Sequence, residues 1–127
     1  MIDVVEQAKK AIEAEGYRNV VMQPLNTMTG REGIVLRKLP STFTMRDYDR
    51  RRTLQYLWQV IVRTRSPKEG QETAEALAGL METAQLPSGN KSYWFIAQEI
   101  YTPVQELDMG EALFYAYEFR VRTEIMI

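Results

Sequence analysis

Residues 46–65 read RDYDRRRTLQYLWQVIVRTR. The first seven hold four arginines and two aspartates. From Thr53 to Arg65, apolar and polar residues nearly alternate. Leu54, Tyr56, Trp58, Val60 and Val62 share one face. Gln55, Gln59, Arg63 and Arg65 share the other, with Leu57 and Ile61 among them. That period of two predicts a β-strand. At ~3.3 Å per residue the run reaches ~40 Å, whereas a typical strand has about five or six residues. A domain of this length is only ~30 Å across. The strand is therefore expected to project beyond the compact body. The stretch either binds nucleic acid or forms a long strand whose charged root and tip meet other chains.

The elements on either side are read the same way. Upstream, MIDVVEQAKKAIEAEG predicts a helix. Asp3 and Glu6 stand at capping-box spacing, Gly16 is placed for the C-terminal cap, and Val4, Val5, Ala8, Ala11 and Ile12 form one stripe. Residues 20–23 predict a short strand stopped by Pro24, and GIVLRKL (33–39) a second, closed by Pro40. Residues 41–50 have no clear period and read as a loop.

Downstream, SPKE (66–69) is a helix start, with Ser66 as N-cap, Pro67 in the first position and Glu69 three on from the cap. That helix runs to about Gln85, with Ala74, Leu77, Ala78, Met81 and Ala84 inward. Gly79 is read as allowing close packing against the sheet, and Gly70 has no account. Residues 93–102 predict a strand with Trp94, Ile96 and Ile100 on one face. Pro103 marks an edge or a bend. LDMGE (107–111) turns the chain into a last strand, residues 112–125. There Leu113, Tyr115, Tyr117, Phe119 and Val121 alternate with Glu118, Arg120, Arg122 and Glu124. This long strand, too, is expected to project.

The order α-β-β-β-α-β-β predicts a single α+β domain over residues 1–127: a mostly antiparallel sheet of about five strands with two helices on one face. The sheet's other face mixes charges and glutamines with Leu57, Ile61, Phe114 and Ala116. A face neither fully polar nor fully apolar suits contact with a neighbouring subunit.

Composition narrows the function. The net charge of −1 argues against a general polyanion binder. Without cysteine or histidine there is no disulfide framework, thiol nucleophile, Cys/His zinc site or Ser–His–Asp triad. No run approaches the ~20 apolar residues of a membrane span, and no membrane partner is expected. Glu99 with Glu106, or Asp108 with Glu111, could be argued as paired acids or metal ligands, but nothing converges on them. They read as solvated turn charges, with no metal and no cofactor expected. Trp58, Tyr56, Trp94, Tyr115, Tyr117 and Phe119 could stack on bases. At period two on strands they read as core.

The C-terminal part, PSGNKSYWFIAQEIYTPVQELDMGEALFYAYEFRVRTEI, resembles the closing segment of the small minor capsid family of tailed bacteriophages and prophages, which is grouped with the tail terminators. The shared pattern is an aromatic strand, an E-[IV]-Y-T-P step (EIYTP, 99–103), an acidic Gly-containing turn (LDMGE) and a last strand of alternating aromatics. KLPST (38–42) and RDYDRRRTLQYLWQVIVRTRSPKEGQETAEAL also fit, in order and at similar spacing. The family often carries a glycine in the charged turn, where this chain has Tyr48-Asp49.

The resemblance implies a non-enzymatic tail terminator, made in the bacterial host cytoplasm and carried in the virion at the head–tail junction. It implies a ring, commonly of six copies, that caps the tail tube protein and meets the head–tail connector protein. DNA passes through without specific binding. Other head–tail joining components, an adaptor or a stopper, fit the same setting. A small nucleic-acid-binding module using residues 46–52 is a different class of reading.

Arg46, Arg50, Arg51 and Arg52 can pair with Asp47 and Asp49 in a solvated loop, contact a subunit or the tube, or contact phosphates. DNA must slide through a terminator ring, and each strong phosphate contact adds ionic affinity and drag. The arginines are therefore assigned to a protein–protein surface, together with Leu57, Ile61, Arg63, Phe114, Arg120 and Arg122.

Overall fold

The computed structural model describes residues 2–22, 32–46, 52–107 and 114–127, with backbone alone at 42–46 and 52. The elements are α1 (Val4–Ala14), β1 (Val20–Val21), β2 (Gly33–Lys38), β3 (Thr42–Arg46), β4 (Arg52–Thr64), α2 (Pro67–Thr83), β5 (Trp94–Leu107) and β6 (Tyr115–Met126). The fold is α+β, as the pattern predicts. The sheet runs β1-β2-β4-β6-β5, and β3 pairs with the root of β4 on the same side as β2. β1 and β2 are parallel, and every other pair is antiparallel. The expected loop at 41–50 thus contains a strand. Ser41 makes the join: its hydroxyl donates to the Leu39 carbonyl and accepts from the Leu57 amide.

β4 and β6 are paired from Thr53 opposite Met126 to Thr64 opposite Tyr115. Their inward faces are Leu54, Tyr56, Trp58, Val60 and Val62 on β4 and Tyr117, Phe119, Val121 and Ile125 on β6. All nine are buried in one core with Val4, Val5, Ala8 and Ile12 of α1 and Ala74, Leu77 and Met81 of α2. Both helices therefore lie on one face of the sheet. Each fully buried large side chain contributes about 1.5–3 kcal/mol. The expected projection of these strands is not found: Leu54 at the root of β4 and Ile125 at the end of β6 are 6% and 0% exposed.

The polar groups of Trp58, Thr123 and Gln98 are matched to one another and to α2. The Trp58 indole N–H donates to the Thr123 hydroxyl at 2.9 Å. That hydroxyl donates to the Gln98 carbonyl at 2.7 Å, and the Gln98 amide donates to the Met81 carbonyl at 2.7 Å. The Met81 carbonyl sits in the last turn of α2, where backbone acceptors lack helical partners. One chain of hydrogen bonds thus ties β4, β6, β5 and α2 together. Burial pushes the Tyr56 hydroxyl up to about 12 and raises those of Tyr93 and Tyr117. Tyr93 satisfies its hydroxyl by donating to the Leu86 carbonyl.

The helix ends follow the sequence at three of four positions. Ser66 Oγ accepts from the Glu69 amide at 3.4 Å, Pro67 opens α2, and Gly16 takes φ +95° after α1. Asp3 departs from the capping box. Its carboxylate does not cap α1 but accepts from Ser88 Oγ (2.8 Å), the Gly89 amide (2.9 Å), Gln7 Nε2 (2.9 Å) and Ser92 Oγ (3.2 Å). It therefore fastens α1 to the segment between α2 and β5. Gly70 is required by space: a Cβ there would stand 2.2 Å from Thr64 Cγ2 and 2.9 Å from the Tyr117 ring. Gly79 faces open space, so the expected close packing at that position is absent.

Candidate functional site

The face of the sheet away from the helices is built by the other alternation. Gln55, Leu57, Gln59, Ile61 and Arg63 of β4 stand opposite Glu124, Arg122, Arg120, Glu118 and Ala116 of β6. Val35 and Arg37 of β2 flank one side, and Ala97 and Glu99 of β5 the other. Arg37, Arg63, Arg120 and Arg122 on this face are nearly balanced by Glu99, Glu118 and Glu124.

The two ends of the face differ. At the end nearer Thr64, Val35, Ile61 and Ala116 form a small second core with Val21 and Leu107 against it. Gln59, Arg63 and Glu118 are buried beside it. The Arg63 guanidinium lies 3.9 Å from the centroid of the Phe114 ring, and that of Arg65 lies 5.3 Å from it. Cation–π contact of this kind offsets part of the cost of burying the charge, while burial pulls the Arg63 pKa down. Glu118, 1% exposed, accepts from Arg120 Nε at 2.9 Å. The hydrogen bond from Arg120 to Glu118 raises the Arg120 pKa. Glu32 accepts from the Arg65 amide and Thr64 Oγ1, both at 3.1 Å, and these bonds hold its carboxyl below the usual value.

The other end is open. Gln55, Ala97, Gln98, Glu99, Arg122 and Glu124 line a shallow depression. Arg122 pairs with Glu99 at 2.8 Å, with the Tyr101 ring 5.5 Å away. This exposed pair is worth ~1 kcal/mol or less. It orients the arginine without removing it from solvent.

The residues expected at an interface divide accordingly. Leu57, Phe114, Arg120 and Arg122 are half-buried and accessible on this face. Ile61 and Arg63, at 0% and 2% exposure, are not on the surface of the single chain: Ile61 packs with Val35 and Ala116, and Arg63 lies against Phe114. Arg46 and Arg52 stand opposite each other in the β3–β4 ladder. Arg50 and Arg51 lie outside the described residues, as do Asp47 and Asp49, Asp108 and Glu111.

Of the six aromatics assigned to the core, Tyr56, Trp58, Tyr117 and Phe119 are buried, whereas Trp94 and Tyr115 are 74% and 41% exposed. Trp94 departs from the expected core position because the ladder shifts between Phe95 and Ala97. The shift puts Phe95 opposite Ile125 and leaves Trp94 opposite Met126. A β-bulge of this kind reverses the alternation and has no composition signal. The outer edge of β5, which the sequence did not single out, thus carries exposed Trp94 and Ile96.

Among the described residues no group of acidic side chains could hold a metal ion, and no helix is long and apolar enough to cross a membrane.

No family model matches the chain, and no curated protein matches it. Its fold is similar to that of a solved chain from the virion of a native gene transfer agent particle. That likeness covers 98% of this chain and 92% of the other, with a TM-score of 0.64 and 13% sequence identity.

Proposed function

We propose that this protein is a structural component of a tailed-phage-like virion, and within it a tail terminator. Copies form a ring, commonly of six, that caps the finished tail tube, stops its growth and presents a surface to the head connector. The observation that carries this reading is the fold likeness to a virion chain over nearly the full length of both chains. The EIYTP step, the LDMGE turn and the charged segment before β4 point the same way from the sequence alone.

The physical features fit a part that works by shape. The open sheet face is nearly neutral, with glutamates beside its arginines. A surface past which DNA slides benefits from that balance, because unpaired cations would hold phosphates. Its shallow depression, lined by Gln55, Glu99, Arg122 and Glu124, offers no enclosed site for a small substrate.

Complementation of tail assembly tests the reading. Tubes grown without this chain are expected to overrun their length, and adding the purified protein restores uniform tails that join heads. Tubes of normal length without it, together with heads that leak DNA, would identify an adaptor or stopper instead.

A further inference from the structure

We propose, building on the ring reading above, that copies join head to tail through their sheets. The outer edge of β5 over residues 94–99 pairs with the outer edge of β3 (Thr42–Arg46) in the next copy.

Four observations carry this. The first is where the sheet is open. Among the described residues, no strand pairs with the outer side of β3 or of β5. Unpaired edges of this kind are templates for further pairing, and proteins normally blunt them. Among the described residues the blunting is confined to one end of the sheet. At the end nearer Thr64, β1 covers Ile34 and Val35 of β2, while Pro103 and register shifts on either side of Thr102 interrupt β5. At the opposite end, among the described residues, neither device is present beyond the single shift between Phe95 and Ala97.

The second is level. Thr42, Gln55, Glu124 and Ala97 lie on one row across β3, β4, β6 and β5. The next row but one holds Thr53, Met126 and Trp94, with Met45 opposite Thr53. The two free edges therefore face outward from the same end of the sheet at nearly the same height. A head-to-tail contact between edges at one level repeats as a rotation with little rise, which closes into a ring rather than climbing into a filament.

The third is direction. Each neighbour in β3-β4-β6-β5 is antiparallel to the next. β5 therefore runs opposite to β3, and a copy placed alongside in the same orientation continues the antiparallel ladder without being turned over.

The fourth is chemistry. Trp94 and Ile96 are 74% and 44% exposed, and Ile127, next to the residue opposite Trp94, is 42% exposed. Large apolar side chains gathered beside an unpaired edge mark a contact surface. The five residues of β3 fall within one residue of the length of the open part of β5, residues 94–99.

The chain has no cysteine, so cross-linking can be directed without background. Ala97→Cys and Thr42→Cys are made singly and together, and treated with a short bismaleimide, which tolerates an offset of about two residues, or ~7 Å. The double variant is expected to give a ladder of linked copies, the two singles mixed to give dimers alone, and each single by itself to give no product. A second double variant, Thr42→Cys with Gln105→Cys, is expected to stay unlinked, because Gln105 lies on the blunted part of β5, roughly 27 Å further along the strand. Dimers from Ala97→Cys alone would show β5 pairing with itself and overturn the proposal, as would equal linking through Gln105. An unlinked double variant whose parent forms a ring by native mass spectrometry would overturn the edge pairing and leave the ring standing. A parent that forms no ring and shows no linking would remove both.

Discussion

Trp58 and Thr123 meet across the β4–β6 ladder in a buried hydrogen bond of 2.9 Å, although they are not directly opposed: Trp58 stands opposite Val121 and Thr123 opposite Tyr56. The indole reaches diagonally along the strand to a hydroxyl that is itself 0% exposed and committed to Gln98. Thr123→Val keeps the shape but strands an indole donor and an amide acceptor. The expected cost is about 2–3 kcal/mol, read as a lower urea midpoint at unchanged slope. Thr123→Ser keeps the hydroxyl and is expected to lose only about 1 kcal/mol.

Gly70 and Gly79 lie on the same helix and predict opposite signs. Gly70→Ala drives a Cβ into Thr64 and the Tyr117 ring and is expected to destabilise by at least about 1–3 kcal/mol. Gly79→Ala meets nothing and replaces a poor helix former, so it is expected to stabilise by about 0.5–1 kcal/mol. Thermal melts of the two variants check both.

The Asp3 clasp gives the protein an acid limb. Burial works to raise this carboxyl, but hydrogen bonds from Ser88, Gln7, Gly89 and Ser92 outweigh it and hold the pKa below the ordinary 3.8. A folded-state value below the unfolded one means that the unfolded chain binds the proton more readily as pH falls. The clasp's contribution is therefore complete above the unfolded value and is lost as pH drops through the folded one. Asp3→Asn is expected to lower stability by about 1–2 kcal/mol at pH 7. Its urea midpoint should fall less steeply than that of the parent between neutral pH and pH 3.

Arg120 shields Glu118 on the open face. Arg120→Ala leaves a carboxylate that is 1% exposed without its partner at 2.9 Å. Because the arginine is itself partly in solvent, the expected loss is only about 1–2 kcal/mol. Arg120→Ala with Glu118→Gln should recover part of it, which a double-mutant cycle measures.

If residues 46–52 meet a subunit or the tube, replacing Arg50, Arg51 and Arg52 by serine should weaken ring or tube assembly while leaving the fold intact. Sedimentation and far-UV circular dichroism read the two separately. Unchanged assembly would remove these arginines from the interface.

Much of this fold was legible because its long elements keep a strict period. Leu54 to Val62 and Tyr117 to Val121 alternate without interruption, and both runs are buried as read. Legibility ended where the backbone breaks its own period. The shift between Phe95 and Ala97 turned Trp94 outward, and no residue type there announces it. β3 lacks a local signal because its five residues gain their pairing from the root of β4, a non-local contact that local composition does not encode. Asp3 has the spacing of a capping box, yet four donors satisfy its carboxylate, three of them from the segment before β5. The open face was recognised from its mixed composition. The burial of Ile61 and Arg63 within it depends on Val35, Ala116 and Phe114, which only the tertiary fold brings together.

Native mass spectrometry across a concentration series, repeated with short duplex DNA, distinguishes a ring-forming virion part from a nucleic-acid-binding module. A closed oligomer of about six copies is expected, its mass unchanged by DNA because, among the described residues, the open sheet face sets glutamates beside its arginines. A monomer that binds the duplex and releases it as salt rises would rule out the ring and make the arginines at 50–52 the binding site.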